Sequence, residues 1–324
     1  MLAVVALNMG GPDSPAAVRP FLRNLFADPD VIQLRWARPV QPLLARLIAH
    51  RRAPFSRAAY AQIGGRSPIR EESTAQVQAV VQAMAAAGIE AKPYLAMSYW
   101  HPFPAETAAA MQADGITRAL LLPLYPHRSR TTSGSAFRTI ESALADKAIA
   151  TTRIEGYATA PGYIEALCDR IGEASGPLPE PERSTAPVLF SAHGLPEAYI
   201  RRGDLYLDDV RATVTAVTRR LGLESRAQLA FQSRVGRQRW LAPTTEEALD
   251  AMAAAGQRAV LVVPVSFTGE HLETLQEIDI LYRERAAARG ITSFARARAV
   301  GCHPAFISGL AGLLMSAARD RGWL

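Results

Sequence analysis

Two segments of the chain repeat one another. AETAAAMQADGITRALLLPLYP (105–126) and TEEALDAMAAAGQRAVLVVPVSF (245–267) each run from an Ala-rich helical stretch, through a glycine and a basic residue, into a continuous apolar run with a proline in it. Gly115 and Pro123 correspond to Gly256 and Pro264 at one common offset. Apolar runs without alternation suit strands buried on both faces, as in parallel sheets covered by helices. VVAL (4–7) and PVLF (187–190) are two more, with helical stretches at 72–88 and 244–256. Each half also opens on a strand, a glycine turn and a proline: NMGGP (8–12) and SAHGLP (191–196). Strands alternating with helices indicate βαβ units. The expectation is an α/β protein of two doubly wound parallel-sheet halves, 1–155 and 156–324, each a domain of ordinary size. The Pro-rich stretch GPLPEPERSTAP (176–187) reads as a surface connector near the joint.

Open α/β sheets bind ligands beyond the carboxyl ends of their strands. The turns at 8–12, 125–135, 191–196 and 267–274 lie at such ends, so they are expected to converge on a central cleft between the halves. Two cysteines, Cys168 and Cys302, exclude an iron–sulfur cluster held by four cysteines of this chain and offer no disulfide framework. The opening MLAVVALNMGG has no basic leader, and no stretch approaches the roughly 20 apolar residues that span a bilayer. The net charge of +6 is concentrated in part at Arg35, Arg38, Arg46, Arg51, Arg52 and Arg57, interleaved with Val31, Ile32, Leu34, Trp36, Leu43, Leu44, Leu47 and Ile48. No nucleic-acid-binding signature accompanies this segment. It fits a membrane surface, an apolar anionic ligand or an ordinary solvated helix face.

His193 stands where the strand VLF turns into Gly194 and Pro196. Alone, it fits a structural histidine as well as a functional one. Downstream, TGEHLETLQEID (268–279) places Glu270, Glu273 and Glu277 at i, i+3 and i+7, one face of an α-helix, with His271 adjacent. The helix dipole accounts for acids in a first turn, but not for a row reaching Glu277. Imidazole with carboxylate suits Fe²⁺ or Zn²⁺, yet no H-E-x-x-H spacing is present. The pattern favours a transient metal and proton site over a permanent cage.

Several motifs, in order, resemble those of the ferrochelatase family: LNMGGP (7–12), IGGRSPI (63–69), LPLYPHRSRTTSGS (122–135), SAHGLP, RRGDLY (201–206), FQSRVGRQRWL (231–241) and HLETLQEID (271–279). The resemblance covers nearly the whole chain. It implies two Rossmann-like halves around a porphyrin cleft, and a lyase-class metal chelatase that inserts Fe²⁺ into protoporphyrin IX with release of two protons, the last step of haem biosynthesis. It also implies His193 as proton acceptor and metal contact, Glu273 as its catalytic and metal-binding partner, and Glu277 and His271 in proton relay and orientation. Met9, Tyr99, Tyr125 and Trp240 are implied as walls for the macrocycle, with Gly10, Gly11, Gly64 and Gly65 allowing close approach to a flat ligand.

The segment 31–57 corresponds to an apolar lip, whose arginines suit propionates or acidic headgroups at the cytoplasmic membrane face. The expectation is therefore a cytoplasmic monomer peripheral to the inner membrane, with porphyrin and Fe²⁺ as substrates, no nucleic acid, no permanent cofactor and no [2Fe–2S] cluster. The last helix is expected to pack back on the first half. Three departures stand out: Gly194 where many relatives carry Ser, Leu281 where some extend the acidic row, and the ending GWL without a Cys-rich extension. Other readings are a coproporphyrin III ferrochelatase, a cobalt chelatase of a corrin precursor, and a non-catalytic two-lobed binding protein.

Overall fold

A computed structural model describes residues 1–29, 40–234 and 238–324. Positions 31–39 of the basic lip and Val235, Gly236 and Arg237 of the FQSRVGRQRWL motif lie outside the described residues. The chain divides into two units. The first holds 1–125, 129–156 and 310–324; the second holds 126–128 and 157–309.

Each unit is built on a four-stranded, all-parallel sheet. In the first unit the strands are β1 (Leu2–Asn8), β2 (Lys92–Met97), β3 (Arg118–Pro123) and β4 (Ala150–Arg153), in the order β2-β1-β3-β4. In the second they are β5 (Val188–His193), β6 (Ala227–Gln232), β7 (Ala259–Pro264) and β8 (Ser293–Arg296), in the order β6-β5-β7-β8. The same order occurs twice, which is the structural form of the sequence repeat. The repeat helices are Pro104–Ala113 and Thr245–Ala254. Both lead into a left-handed glycine, Gly115 at φ +67° and Gly256 at φ +80°, where a side chain would be strained.

The apolar runs become the central strands. β1 is buried along its whole length, as is β7, which is how strands of a helix-covered parallel sheet sit. In the first unit Val5, Leu7, Leu121, Met111, Phe137 and Ile140 form one core. In the second Leu189, Leu249, Val260, Val262, Ile278 and Tyr282 form another. The run expected as 187–190 continues through His193, so the histidine is the last residue of β5 rather than part of a loop.

The helix Gln41–Ala61 is apolar on the wrong side for a globular core. It buries the small stripe Ala45, Ala49 and Ala53, while Leu43 (68% exposed), Leu47 and Phe55 (79% exposed) face outward. Among the described residues no helix is long and apolar enough to cross a membrane.

Candidate active site

The second unit brings four of the expected residues into one cluster. His193 ends β5, and its main-chain carbonyl accepts a hydrogen bond from the Tyr206 hydroxyl at 2.8 Å. The Tyr206 and Ser266 hydroxyls lie 2.8 Å apart. Since Tyr206 donates its hydrogen to the carbonyl, Ser266 donates to Tyr206. Asp204 caps this turn by accepting from the Tyr206 amide at 3.0 Å. Tyr206 and Asp204 belong to the RRGDLY motif, whose place in the fold is thus to hold the end of β5.

Phe267 meets both imidazoles. Its ring lies edge-on to His193, with centroids 6.2 Å apart, and tilts over His271 at 4.4 Å. His271 is buried, its Nε2 is 3.3 Å from Glu273 Oε2, and its Nδ1 has no hydrogen-bond partner among the described residues. Burial pushes the His193 imidazole below its ordinary pKa. The charge of Glu273 opposes that shift and His271 adds to it. His193 is therefore neutral at pH 7, the state in which an imidazole can accept a proton.

The helix that carries the carboxylates is not an α-helix. Glu273–Tyr282 form a ten-residue π-helix, a rare form closed by i→i+5 hydrogen bonds. Glu273 and Glu277 stand about one turn apart on it. The expectation of a three-carboxylate face is corrected here. Glu270 precedes the helix and is spent on structure: both its oxygens face Arg296 Nη1, at 3.0 and 3.1 Å, and Oε1 also accepts from the Ala299 amide. Burial works against its charge, but Arg296 and these donors hold its carboxyl below the usual range. Arg296 in turn grips Asp279 at 2.7 Å. A buried carboxylate so fully paired is a fastening between the 267–274 turn and β8.

Glu277 behaves oppositely. Its Oε2 accepts from Gln232 Nε2 at 2.8 Å and from the Ser233 hydroxyl at 2.5 Å. Burial nevertheless raises its pKa, and the charge of Glu273 adds to the rise. Trp240 is half-buried and bridges to Pro196. A Cβ on Gly194 would stand 2.8 Å from the Gln232 carbonyl oxygen and 3.3 Å from the Trp240 ring, so glycine lets the indole lie against the end of β5.

In the first unit, Met9 is half-buried directly after β1. Its amide is held by Asn8 Oδ1 at 2.8 Å, and Asn8 Nδ2 donates to Ser73 Oγ at 2.9 Å. Tyr125 is half-buried just beyond β3. Tyr99 is only 7% exposed, and its hydroxyl donates to Asp28 at 2.7 Å, which leaves little ring surface for a ligand. The glycines divide. Cβ atoms on Gly10 or Gly11 would meet Met97 and Trp100 or Ser67, so smallness there is demanded by packing within the unit. Gly64 and Gly65 have open space and positive φ, and so serve the turn.

Tyr206, Phe267, Gln232 and Ser233 were not singled out by sequence reasoning. Tyr206 lies inside the RRGDLY motif, and Gln232 and Ser233 inside FQSRVGRQRWL. Gln232 and Ser233 are uncharged, and their carboxylate partner is more than forty residues away.

The profile of the ferrochelatase family matches residues 1–318. The chain is 44% identical over 319 residues to a ferrochelatase of Gloeobacter violaceus, covering 97% of each chain. It is 45% identical over 321 residues to one of Thermosynechococcus vestitus, covering 97% of this chain and 81% of that protein. Among solved structures, the fold is similar to SirB from Bacillus subtilis, with a TM-score of 0.57 at 12% identity, covering 99% of this chain and 97% of that one. With its motifs in order on twin parallel sheets, the chain belongs to the ferrochelatase family.

Proposed function

We infer that the chain inserts Fe²⁺ into protoporphyrin IX, releasing two protons. The observation that carries this reading is the cluster at the end of β5, where Phe267 meets the His193 and His271 rings and His271 lies 3.3 Å from Glu273, at the start of the π-helix that also carries Glu277. Metal insertion needs a base for the pyrrole N–H protons, a route for those protons to solvent, and a place where iron sheds water. His193 accepts a pyrrole proton, and the Glu273 carboxylate stabilises the imidazolium that forms. Glu277, with its raised pKa, accepts and releases protons more readily near neutrality than an ordinary carboxylate. Iron is the substrate, received by His193 and Glu273. Trp240 supplies flat apolar contact for the macrocycle, and the family resemblance supports Met9 and Tyr125 as further porphyrin contacts.

The outward Leu43, Leu47 and Phe55 of the helix Gln41–Ala61, with Arg46, Arg51 and Arg52 exposed among them, support a second element of the reading: peripheral attachment to an acidic membrane surface. The proposed setting is a cytoplasmic monomer with no resident cofactor.

Anaerobic incubation with Fe²⁺ and protoporphyrin IX is the test, followed by absorption spectra. A metalloporphyrin spectrum is expected from the native chain. His193→Ala should still shift the porphyrin Soret band while forming no haem; haem formation at the native rate in that variant removes His193 from the mechanism.

A further inference from the structure

Gln232 ends β6 with its side chain buried. Its Nε2 faces two groups: the Glu273 main-chain carbonyl at 3.0 Å and Glu277 Oε2 at 2.8 Å. A carbonyl oxygen can only accept, so the amide must present its NH₂ on this side. Its Oε1 then faces Ser191, whose hydroxyl donates at 2.6 Å. With the Ser191 hydrogen spent, the Thr245 hydroxyl 2.9 Å away donates to Ser191. The chain Thr245–Ser191–Gln232 therefore runs in one direction and fixes the amide in one flip.

Ser233 donates from its hydroxyl to the same carboxylate oxygen. It has φ +65°, a left-handed conformation that non-glycine residues rarely adopt. That backbone directs its hydroxyl onto Glu277 Oε2. Strain held at a contact of this kind persists only where the surroundings enforce it. One carboxylate oxygen has two lone-pair sites, and at Glu277 Oε2 both are taken by donors.

We propose that Gln232 and Ser233 are positioning residues that hold Glu277 Oε2 as a permanent acceptor, so that Oε1 alone takes up and passes on the proton. A proton reaching Glu277 forms an Oε1–H bond and neutralises the carboxyl; it leaves to water as the carboxylate is restored. Two titratable neighbours act on this carboxyl in opposite senses: the charge of Glu273 raises its pKa and the Tyr282 hydroxyl, by hydrogen bonding, lowers it. The part played in turnover rests on the proposed ferrochelatase reaction; the geometry of the dock does not.

Infrared difference spectra of the full chain between neutral and acid pH, without porphyrin or iron, test the dock independently of the reaction. The Glu277 carboxyl band is identified by its loss in Glu277→Gln. With Oε2 as the doubly bonded acceptor, the C=O stretch is expected to move to higher frequency in Ser233→Gly and in Gln232→Met. Glycine relaxes at φ +65°, so Ser233→Gly should melt at or above the native temperature, yet lose about fivefold in kcat, the worth of one hydrogen bond, with porphyrin KM unchanged. Bands at the native frequency in both variants overturn the dock. Shifted bands with native kcat overturn its role in turnover. Absence of haem synthesis by the native chain defeats the proposed function while leaving the spectral result standing.

Discussion

Tyr206 donates its hydroxyl hydrogen to the main-chain carbonyl of His193 across 2.8 Å. The bond fixes the last residue of β5 at the point where the backbone leaves the sheet and its own ladder can no longer hold it. Tyr206→Phe keeps the ring in place but leaves a carbonyl and the Ser266 hydroxyl short of a partner. Loss of such a buried bond costs about 1–3 kcal/mol. Urea unfolding should report a cost of that size, and kcat should fall because the imidazole is less well placed. Unchanged stability and kcat would show that the contact does not hold His193.

Glu273 lies at ion-pair distance from His271, and its charge acts on His193. Glu273→Gln preserves the side chain's size and removes only the charge. The imidazolium formed when His193 accepts a proton then loses its counter-charge. Turnover should drop at least tenfold, roughly 1.4 kcal/mol of barrier, while the Soret shift on porphyrin binding remains. Native kinetics in the variant would reduce Glu273 to a carboxylate at a helix start.

Legibility in the sequence followed burial and charge. β1, β3, β5 and β7 were visible because each is central in its sheet and continuously apolar. Their neighbours β2, β4, β6 and β8 lie at sheet edges and begin in half-buried or exposed residues such as Lys92, Ala150, Ala227 and Ser293, so neither alternation nor an unbroken run marks them. The sequence signals a helix over the π-helix but not its period, because ten residues are too few for apolar spacing to separate α from π. Glu270 was placed on its face for the same reason, although Arg296 claims it. His193, Glu273 and Glu277 carry recognisable chemistry at motif positions. The Ser191–Gln232–Ser233 contacts join uncharged groups to a distant helix, a relation that exists only once β5, β6 and the π-helix are side by side.

Gly194 carries a steric demand. Its amide donates to the Gln232 carbonyl at 2.8 Å, and that same oxygen lies 2.8 Å from where a Cβ would stand. Main chain cannot yield as a side-chain tip does. Gly194→Ser therefore has to displace the end of β6 and the Trp240 ring. Overpacking of this kind costs about 1–3 kcal/mol. The melting temperature should fall and porphyrin KM should rise as Trp240 is moved. A variant with native melting temperature and KM would mean that the end of β6 shifts freely to admit the side chain.

His127 gives the second unit a built-in sensitivity to acid. It is 2% exposed, sits edge-on to Tyr163 and Tyr206, and its Nε2 lies 3.0 Å from Thr213 Oγ1. Thr213 donates to the Ala158 carbonyl at 2.7 Å, so the imidazole is the donor in its bond to Thr213, and its Nδ1 is left bare. Burial lowers its pKa to about 3, with Asp209 only partly opposing the shift. As pH falls below about 6.5 the unfolded chain gains a proton here that the native chain refuses until about pH 3. The unfolded state therefore binds more protons across that window, and stability is lost on acidification at about 1.4 kcal/mol per pH unit. His127→Gln can keep the donor to Thr213 without titrating. Between pH 7 and pH 5 the native chain should lose about 2 kcal/mol more than this variant in urea unfolding. Parallel pH dependence in the two proteins would place the His127 proton in both folded and unfolded states alike, and its burial would then carry no cost in acid.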